Sequence, residues 1–213
     1  MQANLLGLNV CMLNYAMERG YIYQRWQSVA NAIIFKDNVR IHRTRVIHIY
    51  KANYNLMLGI KWQIALCQAE ALCKLNTGQY GSRPRRNAFD PLFIEELQFK
   101  ISRALCKMLA QTNYDALACY DRIIPNLAMM VSKKFGVLHY TTQSNTQTLQ
   151  KAVYRIRSAL GIANMGYTHA DEHPINGTGQ DSGNSPMIWC FLLSILFDCN
   201  ATQSHNAQCC CPD

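Results

Sequence analysis

Hydrophobic positions recur at helical spacing through much of the chain, interrupted by short stretches with a two-residue period. Leu5, Leu6, Val10, Leu13 and Met17 fall on one stripe, followed by Tyr21, Tyr23 and Trp26, which predicts an N-terminal helix packed on what comes next. Val29 to Phe35 is β-prone, Lys36-Asp37-Asn38 supplies a turn, and Arg45 to Tyr50 reads as a second strand, so a hairpin is expected. From Asn53 to Cys73 the spacing returns to that of a helix, with Leu56, Ile60, Ile64 and Ala71 on its apolar side. Asp90 as cap, Pro91 in the first turn and the early Glu95-Glu96 pair start another helix. Leu92, Leu97, Ile101, Leu105 and Met108 form its expected buried face.

Two further helices follow by the same reasoning. Ile123, Ile124, Leu127, Met130, Val131 and Phe135 mark the first, closed by Gly136, and residues 145–160 the second, with Leu149, Val153, Ile156 and Leu160 inward. The longest apolar run, Met187 to Phe197, falls short of the about 20 residues a bilayer helix needs and reads as a buried core helix. The pattern as a whole gives an α+β chain: a small antiparallel sheet with several helices.

Composition narrows this picture only a little. At 213 residues and 49% hydrophobic content the chain can bury one sizeable core or two small ones. Asn4, Asn9 and Asn14 interrupt the first seventeen residues, so no secretory leader is expected and the protein is placed inside the cell, in cytoplasm or nucleus. Most of the ten cysteines stand singly in apolar patterns, which points to buried reduced thiols at Cys67, Cys73, Cys106, Cys119, Cys190 and Cys199. Cys209-Cys210-Cys211 lacks the spacing of a zinc knuckle. His169 and His173 sit beside Pro174 and acidic neighbours, as in a surface loop.

The net charge of +8 is distributed unevenly. Residues 1–109 hold fifteen Lys or Arg against six Asp or Glu, while residues 110–213 hold six against seven. A basic half beside a faintly acidic one suits a protein that grips phosphates on one side and keeps carboxylates on the other, although simple solubility gives the same bias.

The candidate chemistry lies in Asp115-Ala-Leu-Ala-Cys-Tyr120-Asp121-Arg122, where a carboxylate at a strand end is followed five residues later by an aromatic ring. A bare carboxylate so placed can hold a magnesium ion that bridges nucleotide phosphates. Further on, Gly177-Thr-Gly179-Gln180-Asp181-Ser182-Gly183-Asn184-Ser185-Pro186 is a glycine-rich loop that opens a long apolar helix. Upstream, Gln79-Tyr-Gly81-Ser-Arg83-Pro-Arg85-Arg86 has the form Q-x-G-x-R-x-x-R, preceded by Ile34-Phe35-Lys36 and Arg45-Val46-Ile47. In this order the segments resemble the motifs of reverse transcriptases of non-LTR retroelements, over roughly residues 23–199.

The resemblance implies a partial right-hand polymerase: an N-terminal helix and fingers over 1–109, a partial palm over 110–199, and a disordered tail over 200–213. It implies Asp115 as the catalytic, metal-binding carboxylate for Mg2+. Nucleotide contacts would come from Lys36, Arg45, Ala116, Tyr120 and Gln180, with Tyr120 beneath the sugar, and Arg83, Arg85 and Arg86 would lie on the nucleic acid. The implied partners are an RNA template, a DNA primer and a dNTP, with no membrane, and with further palm, thumb and endonuclease parts belonging to the same element.

Two departures stand out. No Asp-Asp pair follows the glycine-rich loop and its helix, and none occurs anywhere in the chain; Asp181 stands where the family has glycine. One carboxylate cannot fix two divalent ions, so the polypeptide is expected to be inactive alone. The alternative expectation is a decayed, non-catalytic remnant that still binds nucleic acid.

Overall fold

The computed structural model describes residues 2–35, 44–87, 89–109 and 119–208. Among these residues the chain is α+β, with seven helices and one four-stranded sheet. Helix α1 (Gln2–Arg19) is followed by a 3-10 turn (Gln24–Gln27), strands β1 (Ser28–Phe35) and β2 (Thr44–Ile49), and helices α2 (Ala52–Ala71) and α3 (Phe89–Ala104). Helices α4 (Cys119–Arg122), α5 (Pro125–Lys134) and α6 (His139–Lys151) lead into β3 (Val153–Ser158), β4 (Gly161–Ile162) and the long α7 (Ser185–Gln208). None of the described helices is long and apolar enough to cross a membrane.

The two strands form where β-propensity placed them, and the turn expected at Lys36-Asp37-Asn38 lies outside the described residues. β1 and β2 pair antiparallel from Ala30↔Ile49 to Phe35↔Thr44, with Arg45 opposite Ile34. The sheet is nevertheless mixed and not antiparallel throughout, in the order β2-β1-β3-β4, because β3 runs parallel to β1 from Ser28↔Val153 to Ala32↔Arg157. A parallel neighbour cannot be reached by a tight turn, and the chain between β1 and β3, residues 36–152, includes β2 and helices α2 to α6. The expected helix over 145–160 therefore ends at Lys151. Leu149, Val153, Ile156 and Leu160 fit a helical period, but Val-Tyr-Arg-Ile-Arg-Ser also alternates, and pairing with β1 decides. Only Leu149 of those four is fully buried, and Leu160 is bare.

One core draws on both sides of the 109/110 division: Met17, Trp26, Tyr54, Leu58, Trp62, Leu66, Tyr154, Ile188 and Phe191 pack together. Two of its polar groups are paired, Trp62 Nε1 donating to Ser132 Oγ at 3.1 Å and Tyr54 Oη donating to Asn145 Oδ1 at 3.0 Å. Helix α6 buries Thr141, Thr142, Ser144 and Thr148. It can do so because these hydroxyls donate to main-chain carbonyls, as Thr148 does to Ser144 at 2.7 Å and Ser144 to Thr141 at 3.1 Å.

Several apolar faces run opposite to expectation. The buried side of α2 is Tyr54, Met57, Leu58, Trp62, Ala65, Leu66 and Ala69, while Leu56, Ile60 and Ile64 face outward. In α1 only the C-terminal end docks, through Ala16 and Met17; Leu5, Leu6 and Val10 are exposed. Helix α3 buries nothing: Leu92, Leu97 and Ile101 are exposed, as are Leu105 and Met108 beyond its end. A helical period shows which residues share a face, not whether a partner lies within the same chain.

Asn87, rather than Asp90, caps α3. Its Oδ1 accepts from the Phe89 and Asp90 amides at 2.7 and 3.1 Å, and Asp90 Oδ2 accepts the Asn87 amide in return at 3.0 Å, a reciprocal capping box. Cys67, Cys73, Cys106 and Cys199 are exposed free thiols and Cys119 is half-buried. Only Cys190 matches the expectation of burial, which pushes its thiol up to about 11. Helix α7 continues past Cys199 to Gln208, into the stretch expected to be a disordered tail.

Candidate nucleotide site

The glycine-rich loop is clamped between three elements by its own backbone. The Gly177 amide donates to Ile123 O at 2.7 Å and the Thr178 amide to Tyr120 O at 2.9 Å, which ties the loop's start to α4 and the residues after it. The His48 amide donates to Gln180 O at 3.1 Å, which ties its middle to β2. Asn55 of α2 holds its end, accepting the Gly183 amide on Oδ1 and donating from Nδ2 to Asp181 O at 3.2 Å. Ser185 begins α7 and turns its Oγ back to donate to Gly179 O at 2.7 Å.

Glycine is needed at each approach. A Cβ on Gly177 would lie 2.7 Å from Tyr120 O and one on Gly183 2.5 Å from Asn55 O, while one on Gly179 would strike the Tyr50 hydroxyl. Gly177 and Gly179 also have φ of +99° and +82°, where a side chain is strained.

This clamping brings three residues singled out in the sequence to one place. Arg45, Tyr120 and Gln180 line a cavity of about 200 Å3, completed by Asp181, Ser182, Ser185 and Pro186. Arg45 reaches it from β2, where it is exposed; Tyr120 is half-buried, edge-on to Trp189 with ring centroids 6.4 Å apart. Burial first, then Cys119 and Asp181, pushes the Tyr120 phenol above its ordinary value, so it is a neutral hydroxyl at physiological pH. Gln180 Oε1 is buried and has no hydrogen-bond partner among the described residues. His48, behind the loop, is held below the usual imidazole range because its burial outweighs the pull of Asp121 and Asp181. It therefore adds no positive charge near pH 7.

The remaining sequence-derived residues separate into three groups. Asp115, Ala116 and Lys36 lie outside the described residues. Arg83 is committed internally: its guanidinium makes a fork with Glu70, 2.8 and 2.7 Å, and donates to Asn76 O and Gln79 O at 2.8 Å each. Buried Gln79 closes the same turn by donating to Gly81 O at 2.9 Å, so the Q-x-G-x-R spacing here builds a knot in the chain. Arg85 and Arg86 are exposed and line a different cleft from Arg45. His169 and His173 lie in the irregular segment before the loop, with His169 Nδ1 accepting the Ile175 amide at 3.0 Å.

Sequence reasoning missed Asn55 and His48, which position the loop. Asn55 interrupts the apolar side of α2 and could have been flagged on that ground; His48 contributes through its backbone, which leaves no signal in residue type.

Among the described residues no group of three or more His, Cys, Asp or Glu side chains could hold a metal ion. The described donors therefore do not by themselves fit a pair of magnesium ions. No known family model matches the chain, and no curated protein sequence matches it.

Proposed function

We propose that the chain is the nucleotide- and nucleic-acid-binding part of an RNA-templated DNA polymerase of the reverse transcriptase type. The observation that carries the reading is the convergence of Arg45, Tyr120 and Gln180, 75 and 60 positions apart in the sequence, on one cavity. At about 200 Å3 the cavity is smaller than an ordinary small-molecule site and suits the sugar and one phosphate of a dNTP, with the base outside. Arg45 offers a planar fork to phosphate oxygens, and Tyr120 packs beneath the sugar where a 2'-hydroxyl would need room, with Gln180 forming part of the same wall.

The family's chemistry uses two magnesium ions to activate a primer hydroxyl and stabilise the leaving pyrophosphate; Asp115 is the residue that would hold both. No step is assigned to the described residues on this account, because an Asp-Asp pair is missing from the sequence and the described carboxylates do not cluster. Those two observations favour a binding protein that does not extend primers unaided.

Titration with a fluorescent dNTP tests the reading. Binding should weaken about tenfold in Arg45→Ala, and Tyr120→Ala should narrow the preference for dNTP over rNTP. Equal affinity in all three proteins, or none in the wild type, refutes it. Magnesium-dependent primer extension abolished by Asp115→Asn would show instead that the chain is a complete catalyst.

A further inference from the structure

A second cleft, of about 590 Å3, opens between the loop that follows Gln79 and the first turns of α3. It combines rings and cations. Phe89 and Phe93 stand one helical turn apart on the same side of α3 and are 78% and 69% exposed, an unusual state for two phenylalanines. Facing them, the Arg86 guanidinium lies over the Tyr80 ring, 5.4 Å from its centroid, with Arg85 beside it. Neither arginine is in a salt bridge among the described residues, whereas their neighbour Arg83 is spent on Glu70. The single carboxylate in the cleft, Asp90, accepts the Asn87 amide and so is partly occupied.

Exposed aromatic faces alternating with unpaired arginines match the chemistry of single-stranded nucleic acid, whose bases stack and whose phosphates need cations. A duplex offers phosphates but keeps its bases stacked on one another. An anionic lipid surface would use the same residue types, but a concave cleft with a cation fixed over a ring suits a strand better than a flat interface.

We propose that Tyr80, Arg85, Arg86, Phe89 and Phe93 form a stacking cleft for single-stranded nucleic acid, sequence-tolerant and separate from the Arg45 cavity. The proposal rests on the polymerase-type reading above and names where the unpaired strand lies. It also moves the strand contact from the three arginines of the sequence motif to two of them plus three rings.

Fluorescence anisotropy with a labelled oligo-dU of about twelve nucleotides, its duplex, and phosphatidylserine vesicles provides the test. Phe89→Ala/Phe93→Ala removes only exposed rings, so its circular dichroism should match the wild type. We expect preference for the single strand and a loss of about 10- to 100-fold in the double variant, with Arg86→Gln weakening binding and flattening its salt dependence. Oligonucleotide affinity unchanged by the phenylalanine substitutions, a preference for duplex, or binding to vesicles alone would overturn the cleft. The dNTP titration separates the two ideas. Phenylalanine-sensitive oligonucleotide binding without dNTP binding supports the cleft and sinks the nucleotide cavity; dNTP binding with phenylalanine-insensitive oligonucleotide binding does the reverse.

Discussion

Asp181 occupies a backbone conformation, φ +67°, that costs an aspartate little compared with a branched residue but that glycine takes freely. Asp181→Gly removes left-handed strain but loosens the unfolded chain, two effects of about 1 kcal/mol or less with opposite sign, so stability should move by no more than ~0.5 kcal/mol. Charge is the larger consequence. The carboxylate shares a cavity with Arg45, and removing it from the path of an incoming phosphate should raise dNTP or oligonucleotide affinity about three- to fivefold at low salt. Anisotropy titration checks this, and an unchanged affinity would mean that the side chain points away from the bound phosphate.

At the scale of elements, the knot around Arg83 shows how a motif can serve packing. The Arg83 side chain is 6% exposed and that of Glu70 29%, and the pair joins the C-terminal part of α2 to the loop that leads toward α3. The hydrogen bonds from Arg83, more than any other influence, hold the Glu70 carboxyl below its ordinary value of 4.5. A carboxylate with a depressed folded-state pKa contributes stability that is present above its unfolded value and is lost as pH falls through the folded one. Glu70→Gln should thus lower stability by about 1 kcal/mol near neutrality, a drop of roughly 2–4 °C in Tm for a chain this size, and the gap should close on acidification below pH 4.5. A gap that persists at pH 3 would refute the linkage. Much of this element's logic was legible only in part. The β1–β2 hairpin could be read because β-branched residues and a polar turn are local signals, and α7 because Ser-Pro opens an apolar run. The parallel strand β3 could not, since its partner lies more than a hundred residues upstream, and buried Thr141, Thr142 and Thr148 look like surface residues until their carbonyl partners are seen. Arg45, Tyr120 and Gln180 were singled out in the sequence and line one cavity, whereas the anchoring of the loop by Asn55 and the His48 amide depends on tertiary contacts that residue type does not encode.

Across the whole molecule, charge and apolar surface divide the chain's solution behaviour between them. Residues 1–109 carry the chain's basic excess, and the same residues leave Leu5, Leu6 and Val10 of α1, the outer face of α2 and the length of α3 without cover among the described residues. The α2 face forms a groove of about 1040 Å3 lined by Leu56, Ile60, Ile64 and Cys67 together with Gly183 and Met187 at the start of α7. A contiguous apolar groove on this scale is an association liability in water. Two forces could make the protein self-associate, and salt tells them apart: attraction between opposite charges weakens as the Debye length shrinks from about 10 Å at 0.1 M salt to 3 Å at 1 M, whereas apolar contact does not. The native protein should bind anilinonaphthalene sulfonate strongly and elute above the mass of one chain at micromolar concentration, at 1 M as at 0.1 M salt. Leu56→Ser/Ile60→Ser/Ile64→Ser removes exposed methyl groups without opening the core, so it should cut the dye signal and shift elution toward one chain with the circular dichroism spectrum kept. Elution as a single chain with no dye signal, or association that dissolves in salt, would show that these helix faces are covered within the molecule.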